Sequence, residues 1–446
     1  MNHYPRYPKY KDSGVEWIEE VPEHWTISRI DHIATTHREN ISPENFIGAK
    51  VFHYSIPVVQ ERGTGAVEDS STVDSNKLVI RCPQVLVSKL NPRKQTVVVA
   101  KGHDAYLTVA STEFVPIVPK PSKVTMEFIH YLMSSEWIRQ YLDSRVESVT
   151  KSHQRVTPDD ILKLKAPVPE LPEQTSITLS LDQETARIDA LIAKKTRFIE
   201  LLKEKHAALI THAVTKGLNP TVKMKDSGVE WIGEVPAHWT IAKLKHVSRA
   251  LIGLTYAPED VVDDGTGITV LRSSNIQDGQ LDLADIVQVR AVADPELMVR
   301  VGDILICSRN GSRALIGKNI QLDERSLGCT FGAFMTVVRG SFNDFLYYVF
   351  NSTMFDANSA LYMTSTVNQL TISMIANMEV PLPPEEEQRA IVSHLRKGLS
   401  SLEVLLCKTQ RSIDLLKERR SALISAAVTG KVDVRGWVPN AIKQPR

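Results

Sequence analysis

A chain of 446 residues, 42% hydrophobic and 24% charged, has room for several cores and the balance of an ordinary soluble protein. Its net charge of +1 supplies no whole-chain attraction to nucleic acid or to an anionic membrane, so either partner would need a local surface. Cys82, Cys307, Cys329 and Cys407 are scattered without a C-x-x-C pair, which excludes a disulfide framework or zinc ribbon and points to a reducing cytoplasm. The start is polar and aromatic, unlike a signal peptide, and no apolar run reaches membrane-spanning length, so no membrane is expected.

The opening segment reads Lys11-Asp-Ser-Gly-Val-Glu-Trp-Ile18, then Glu20-Val-Pro22 and His24-Trp-Thr-Ile27. Trp17 and Trp25 are expected to anchor this loop on a core. His24 has no Cys, Ser or carboxylate constellation nearby in sequence, so a structural role outweighs a catalytic one. Short strand-like runs follow at Val51-Phe-His-Tyr54, Leu78-Val-Ile80, Val85-Leu-Val87, Thr96-Val-Val-Val-Ala100 and Phe114-Val-Pro-Ile-Val118. A helix is expected from Met126 to about Ser144, and Thr157-Pro-Asp-Asp160 reads as a helix start. Ala166-Pro-Val-Pro169 is a stiff link into a long helical run from Leu171 to Lys216.

That plan then repeats 214 residues on. Lys225 to Ile232 matches Lys11 to Ile18 residue for residue, and Glu234-Val-Pro236 and His238-Trp-Thr-Ile241 follow, so His238 is read as His24 is. Strands are expected at Ile268-Thr-Val-Leu271, Ile286-Val-Gln-Val289, Asp303-Ile-Leu-Ile306 and Phe334-Met-Thr-Val-Val338, a helix from Phe345 to Asn351, and a link at Val380-Pro-Leu-Pro383. The second long run extends from Pro384 to Gly430, and three glutamates behind two prolines make its N-terminus.

Both runs carry a heptad stripe. Ile188, Ile192, Ile199, Leu202 and Leu209 form the seam of the first, and Leu402, Leu406, Ile413, Leu416 and Leu423 that of the second. Leu191 and Leu405 are counted on the same apolar faces. Each run is acidic early and basic late, so antiparallel pairing would set opposite charges together. The expected architecture is a mixed α/β (α+β) tandem duplication with pseudo-two-fold symmetry. Residues 1–170 and 218–383 form two lobes, and 171–217 and 384–446 form two long helices in an antiparallel coiled coil.

Between their shared flanks the lobes diverge, yet Val85-Leu-Val-Ser-Lys-Leu-Asn91 lines up with Ile304-Leu-Ile-Cys-Ser-Arg-Asn310. Each strand runs into a polar turn: Lys89, Asn91, Arg93 and Lys94 in one lobe, Arg309, Asn310 and Arg313 in the other. Arg272, Ser274 and Asn275 make a third polar turn. Such side chains bond base edges and phosphates, and are also ordinary turn residues. No phosphate-binding loop, methyltransferase stretch, nuclease grouping or His-Glu-x-x-His is present; Asp264-Gly-Thr-Gly267 precedes a strand and is a weak dinucleotide candidate.

Gly217-Leu-Asn-Pro220, the run from Met224 to Trp239, and Val380-Pro-Leu-Pro-Pro384 with Glu387, Gln388 and Ile391 together resemble the specificity (S) subunits of type I restriction-modification enzymes. Pro172-Glu-Gln174 with Ile177 repeats the last of these in the first half. The resemblance implies two target recognition domains, each reading half of a split, asymmetric site in double-stranded DNA. It also implies two methyltransferase (M) subunits docked on the coiled coil, with restriction (R) subunits joining them. No cofactor would sit on this chain; S-adenosylmethionine, ATP and Mg would belong to those partners, and the chain itself would be no enzyme. The residues alone leave two other readings open: a stand-alone nuclease or methyltransferase with dispersed catalytic residues, or a coiled-coil adaptor that binds only proteins.

Overall fold

The computed structural model describes residues 4–146, 154–277, 279–290, 294–355, 357 and 369–435. The end of the 384–446 segment, from 436, lies outside the described residues. The chain forms two compact units, Met1–Lys195 with Arg411–Arg446, and Thr196–Gln410. Each unit holds one lobe and one half of each long helix, because the helices are continuous over Leu171–Lys216 and Glu385–Val428.

In the first unit a four-stranded antiparallel sheet runs Val97–Ala100, Gln84–Ser88, Phe114–Pro119, Ala34–Thr35. The central strand Gln84–Ser88 is buried along its length, so both faces must be covered. Val85 and Val87 point to one side, where Phe128, Ile129 and Leu132 of the helix Met126–Met133 meet them. Leu86 points to the other, with Phe114, Tyr54, Leu78 and Ala110. Those last three belong to a five-stranded sheet ordered Asn40–Ile41, Lys77–Val79, Leu107–Ser111, Lys50–Tyr54, Ala66–Asp69. Its Leu107–Ser111 and Lys50–Tyr54 strands are parallel. Thr125 starts the covering helix, its Oγ1 accepting from Phe128 N at 3.2 Å.

The second unit repeats the four-stranded sheet with other residues, while its second sheet has four strands in place of five. Its four-stranded sheet is Arg249–Ile252, Met335–Arg339, Ile304–Cys307, Asn319–Gln321. Ile304 and Ile306 face Phe345, Leu346 and Val349, while Leu305 and Cys307 face Leu271 and Phe331. The second sheet is Val261–Val262, Val287–Val289, Ile268–Leu271, Thr330–Phe331, again with one parallel pair. In each unit a two-stranded ladder joins the opening segment to the link before the long helix. Its register is the same in both: Thr26 faces Val168, and Thr240 faces Leu382.

The long helices pair antiparallel within each unit. In the first, Ile177 and Leu181 share a core with Leu423, Ile424, Ala427 and Val428, and Arg420 Nε meets Asp189 Oδ1 at 3.0 Å. In the second, Leu202, Ile210, Ala213 and Val214 pack with Ile391, Leu395, Leu399 and Leu402. Among the ten seam residues, Ile188, Leu202, Leu402, Ile413 and Leu423 are buried. Ile192, Ile199, Leu209, Leu406 and Leu416 are half-buried. Leu191 and Leu405 do not join them: they are 40% and 39% exposed, one position outside the stripe. Towards the end of the first helix Ile210 is buried more deeply than Leu209, as expected when a 3.6-residue helix drifts against a 3.5-residue repeat.

Trp25 and Trp239 are fully buried, and each ties its opening segment to the head of a long helix. Trp25 Nε1 donates to Glu173 Oε1 at 3.1 Å, and His24 Nε2 lies 2.8 Å from Oε2. Trp239 Nε1 donates to Glu387 Oε2 at 3.0 Å, with His238 Nε2 at 2.7 Å. Both histidines thus serve a helix-docking clamp. Trp17 departs from its expected anchoring role, being 44% exposed and edge-on to Tyr141.

Candidate nucleic-acid interface

In the first lobe the strand Gln84–Ser88 ends in the turn Leu90–Gln95. Lys89 N donates to Glu113 O at 2.9 Å, and Asn91 N to Gln154 O at 2.7 Å. Asn91 and Gln95 hold positive φ of 49° and 45° on either side of Pro92–Lys94. Such a left-handed conformation costs a non-glycine residue energy and persists only where neighbours fix it. Here Gln95 Nε2 donates to Ser135 O at 2.6 Å, and Arg93 Nε meets Gln154 Oε1 at 3.0 Å and Asp143 Oδ1 at 3.2 Å. Arg93 and Lys94 stay exposed, and Lys94 borders a hollow of about 470 Å³ lined also by Val59, Gln60, Gln95, Thr96 and Val97. Gln60, from the helix Ile56–Arg62, donates to Thr96 Oγ1 at 2.8 Å.

In the second lobe the turns after Ile268–Leu271 and Ile304–Cys307 adjoin, because Asn310 Nδ2 donates to Ser273 Oγ at 3.2 Å. Asn310 Oδ1 accepts from Ser312 N at 2.9 Å, so its amide is spent on holding the turns. Asn275 is 1% exposed: its Oδ1 accepts from Arg272 N, and its Nδ2 donates to the carbonyls of Asp282 and Asp285. It is therefore no longer a candidate for reading bases. Arg272 pairs with Asp285 at 3.0 Å, and Ser274 Oγ is buried without a partner in the described structure. Arg309 and Arg313 are exposed, and the Arg309 guanidinium lies 5.2 Å from the ring centroid of Phe334. Burial pushes the Cys307 thiol up, which keeps it protonated and unreactive beside the turn.

The candidate residues thus separate by role. Lys89, Lys94, Arg309 and Arg313 present cations, Arg93 presents one that is already paired, and Arg272, Asn275 and Asn310 build the turns. Two accessible groups were missed by sequence reasoning. Phe334 reads as the first residue of an apolar strand, and only its place one residue ahead of Met335–Arg339 exposes it. Gln60 lies in a helix that the strand-like text conceals.

Two lobes built on the same four-stranded sheet, each carrying an exposed cationic turn and coupled to duplicated long helices, define a class of duplicated two-lobe, two-helix proteins. The Type I restriction modification DNA specificity domain matches residues 238–404. The EcoKI specificity subunit of Escherichia coli K12 is 27% identical over 207 residues, 45% of this chain and 44% of its own length. The StySPI specificity subunit of Salmonella potsdam is 25% identical over 205 residues, 44% of each. The chain thus aligns with less than half of either relative. A Methanocaldococcus jannaschii protein, provisionally assigned as the MjaX specificity subunit, is 23% identical over 444 residues, 96% of this chain and 98% of its own. A solved chain from work on complex assembly and conformational transition of the type I R-M system has TM-score 0.70 at 19% identity, and covers 92% of this chain and 98% of that one. Residues 238–404 thus match the DNA specificity domain of type I restriction-modification systems, and the chain is similar to their specificity subunits. Among the described residues, no helix is long and apolar enough to cross a membrane.

Proposed function

We propose that the chain is the sequence-reading subunit of a type I restriction-modification assembly. Each lobe reads one half of a split, asymmetric site in double-stranded DNA. The observation that carries this reading is the repetition of one four-stranded sheet with different exposed turns, Leu90–Gln95 and Arg309–Arg313, beside two long helices of 46 and 44 residues. Lobes that share a scaffold and differ at their exposed polar turns suit two half-sites of different sequence. The chain performs no chemistry itself. Two methyltransferase subunits dock on it, and restriction subunits join through them. S-adenosylmethionine, ATP and Mg are held by these partners. A near-neutral chain needs only local cations at its turns, because its partners add their own hold on DNA.

The test is a methylation map of DNA modified by the chain with its companion methyltransferase. Arg93→Ala with Lys94→Ala is expected to alter one half-site, and Asn310→Ala with Arg313→Ala the other. A lost base contact costs about 1–3 kcal/mol at one position, whereas a lost phosphate contact weakens all sequences and lowers the salt slope by about 1. Unchanged maps, affinities and salt slopes for both pairs would remove these turns from the interface.

A further inference from the structure

The lobes differ most tellingly where their backbones agree. In the first, the residue ahead of Phe114–Pro119 is Glu113; its carbonyl accepts from Lys89 N, and its carboxylate pairs with Arg155 at 3.1 Å. In the second, the residue ahead of Met335–Arg339 is Phe334, whose carbonyl accepts from Ser308 N and Arg309 N, each at 3.0 Å. The same corner of the same sheet thus presents an ion-paired carboxylate in one lobe and an aromatic ring in the other.

The Phe334 ring is 58% exposed and is held from one side by the Arg309 guanidinium. Ile252, 49% exposed, lies in the neighbouring strand, paired with Thr336. Arg313 is exposed on the turn that Asn310 begins. Neither Arg309 nor Arg313 meets a carboxylate among the described residues. An exposed ring held by one unneutralised guanidinium, with a second exposed on the turn that follows, fits a surface that is anionic overall and apolar at a point. Duplex DNA is such a surface: phosphates lie along its backbone, and the C5-methyl of thymine is the apolar point on a major-groove base edge.

We infer that Phe334 is a specificity-determining residue whose ring packs on a thymine methyl in the half-site read by the second lobe. Arg309 positions the ring and meets the adjacent phosphate. Glu113 gives the first lobe no such contact. This deepens the DNA-reading proposal above and rests on it.

The assembled chain with its companion methyltransferase is titrated with duplexes bearing its mapped target, each thymine replaced in turn by deoxyuridine, which removes only the methyl. One thymine of the second lobe's half-site is expected to lose about fourfold in affinity on replacement, the worth of one buried carbon. Phe334→Ala is expected to abolish that thymine–uracil difference, and Phe334→Leu to keep part of it. The inference is overturned if no thymine in that half-site is methyl-sensitive, or if the sensitivity survives in Phe334→Ala. It is also overturned if Phe334→Ala impairs assembly with the methyltransferase while DNA discrimination is unchanged, because the ring would then be a protein contact. An assembly that prefers no sequence at all would instead refute the underlying DNA-reading proposal.

Discussion

Glu173 and Glu387 each accept an indole N–H from a fully buried tryptophan at the first turn of a long helix. The carboxylate also sits at the positive end of the helix dipole, so one side chain both docks the tryptophan and complements that dipole. Glu173 takes a further cation, Arg435 Nη1 at 3.4 Å. Glu173→Ala would leave the buried Trp25 Nε1 without an acceptor, at a cost of about 1–3 kcal/mol. A lower thermal midpoint for Glu173→Ala, with the methylated sequence unchanged in what survives, is the expected result; an unshifted midpoint would show that the clamp contributes nothing. The histidines could be read from sequence as structural, because no catalytic neighbour accompanies them. Their partner could not, since it lies 149 residues away. The polar turns were equally ambiguous: Asn275 and Arg313 are both polar residues in turns after apolar strands, and only burial separates the side chain that builds a turn from the one that leaves it.

At the scale of elements, the long helices were the most legible feature, because a heptad stripe sustained over this length is the pattern of paired helices and of little else. What the stripe could not give was its edge. Leu191 and Leu405 are apolar and adjacent to seam positions, yet both face outward. Stability should follow this division. Leu202→Ala empties a buried seam position and is expected to cost about 2–5 kcal/mol, with half-buried Leu416→Ala costing less. Leu191→Ala should stay within about 0.5 kcal/mol of the parent. Chemical denaturation of the three variants checks the order, and an equal loss from Leu191 and Leu202 would contradict the seam. The sheets were less legible than the helices. Val51-Phe-His-Tyr54 was legible as a strand while Leu107–Ser111 was not, and their parallel pairing joins segments some fifty residues apart. No local pattern encodes such a partner.

For the whole molecule, duplication explains more than any single element. The two clamps and the two ladders keep corresponding registers, and the two four-stranded sheets one strand order, while the lobe sequences diverge. On the proposed function, a chain built this way changes one reader without disturbing the other. If the long helices also set the spacing of the two readers, inserting seven residues near Lys195 and near Thr409 would keep the seam in register and add ~10 Å. The unread gap in the target should then widen by about three base pairs at 3.4 Å each. An active protein with an unchanged gap would show that the helices are not the ruler.

Independence of the two readers is the central claim, and exchanging one lobe tests it most directly. Residues 244–378 are replaced by the corresponding segment of another specificity subunit, and the modified bases are mapped in DNA exposed to the hybrid with its methyltransferase. The map should keep one half-site and the gap of the parent and take its other half-site from the donor. A map in which both half-sites change, or neither does, would contradict the assignment of one half-site to each lobe.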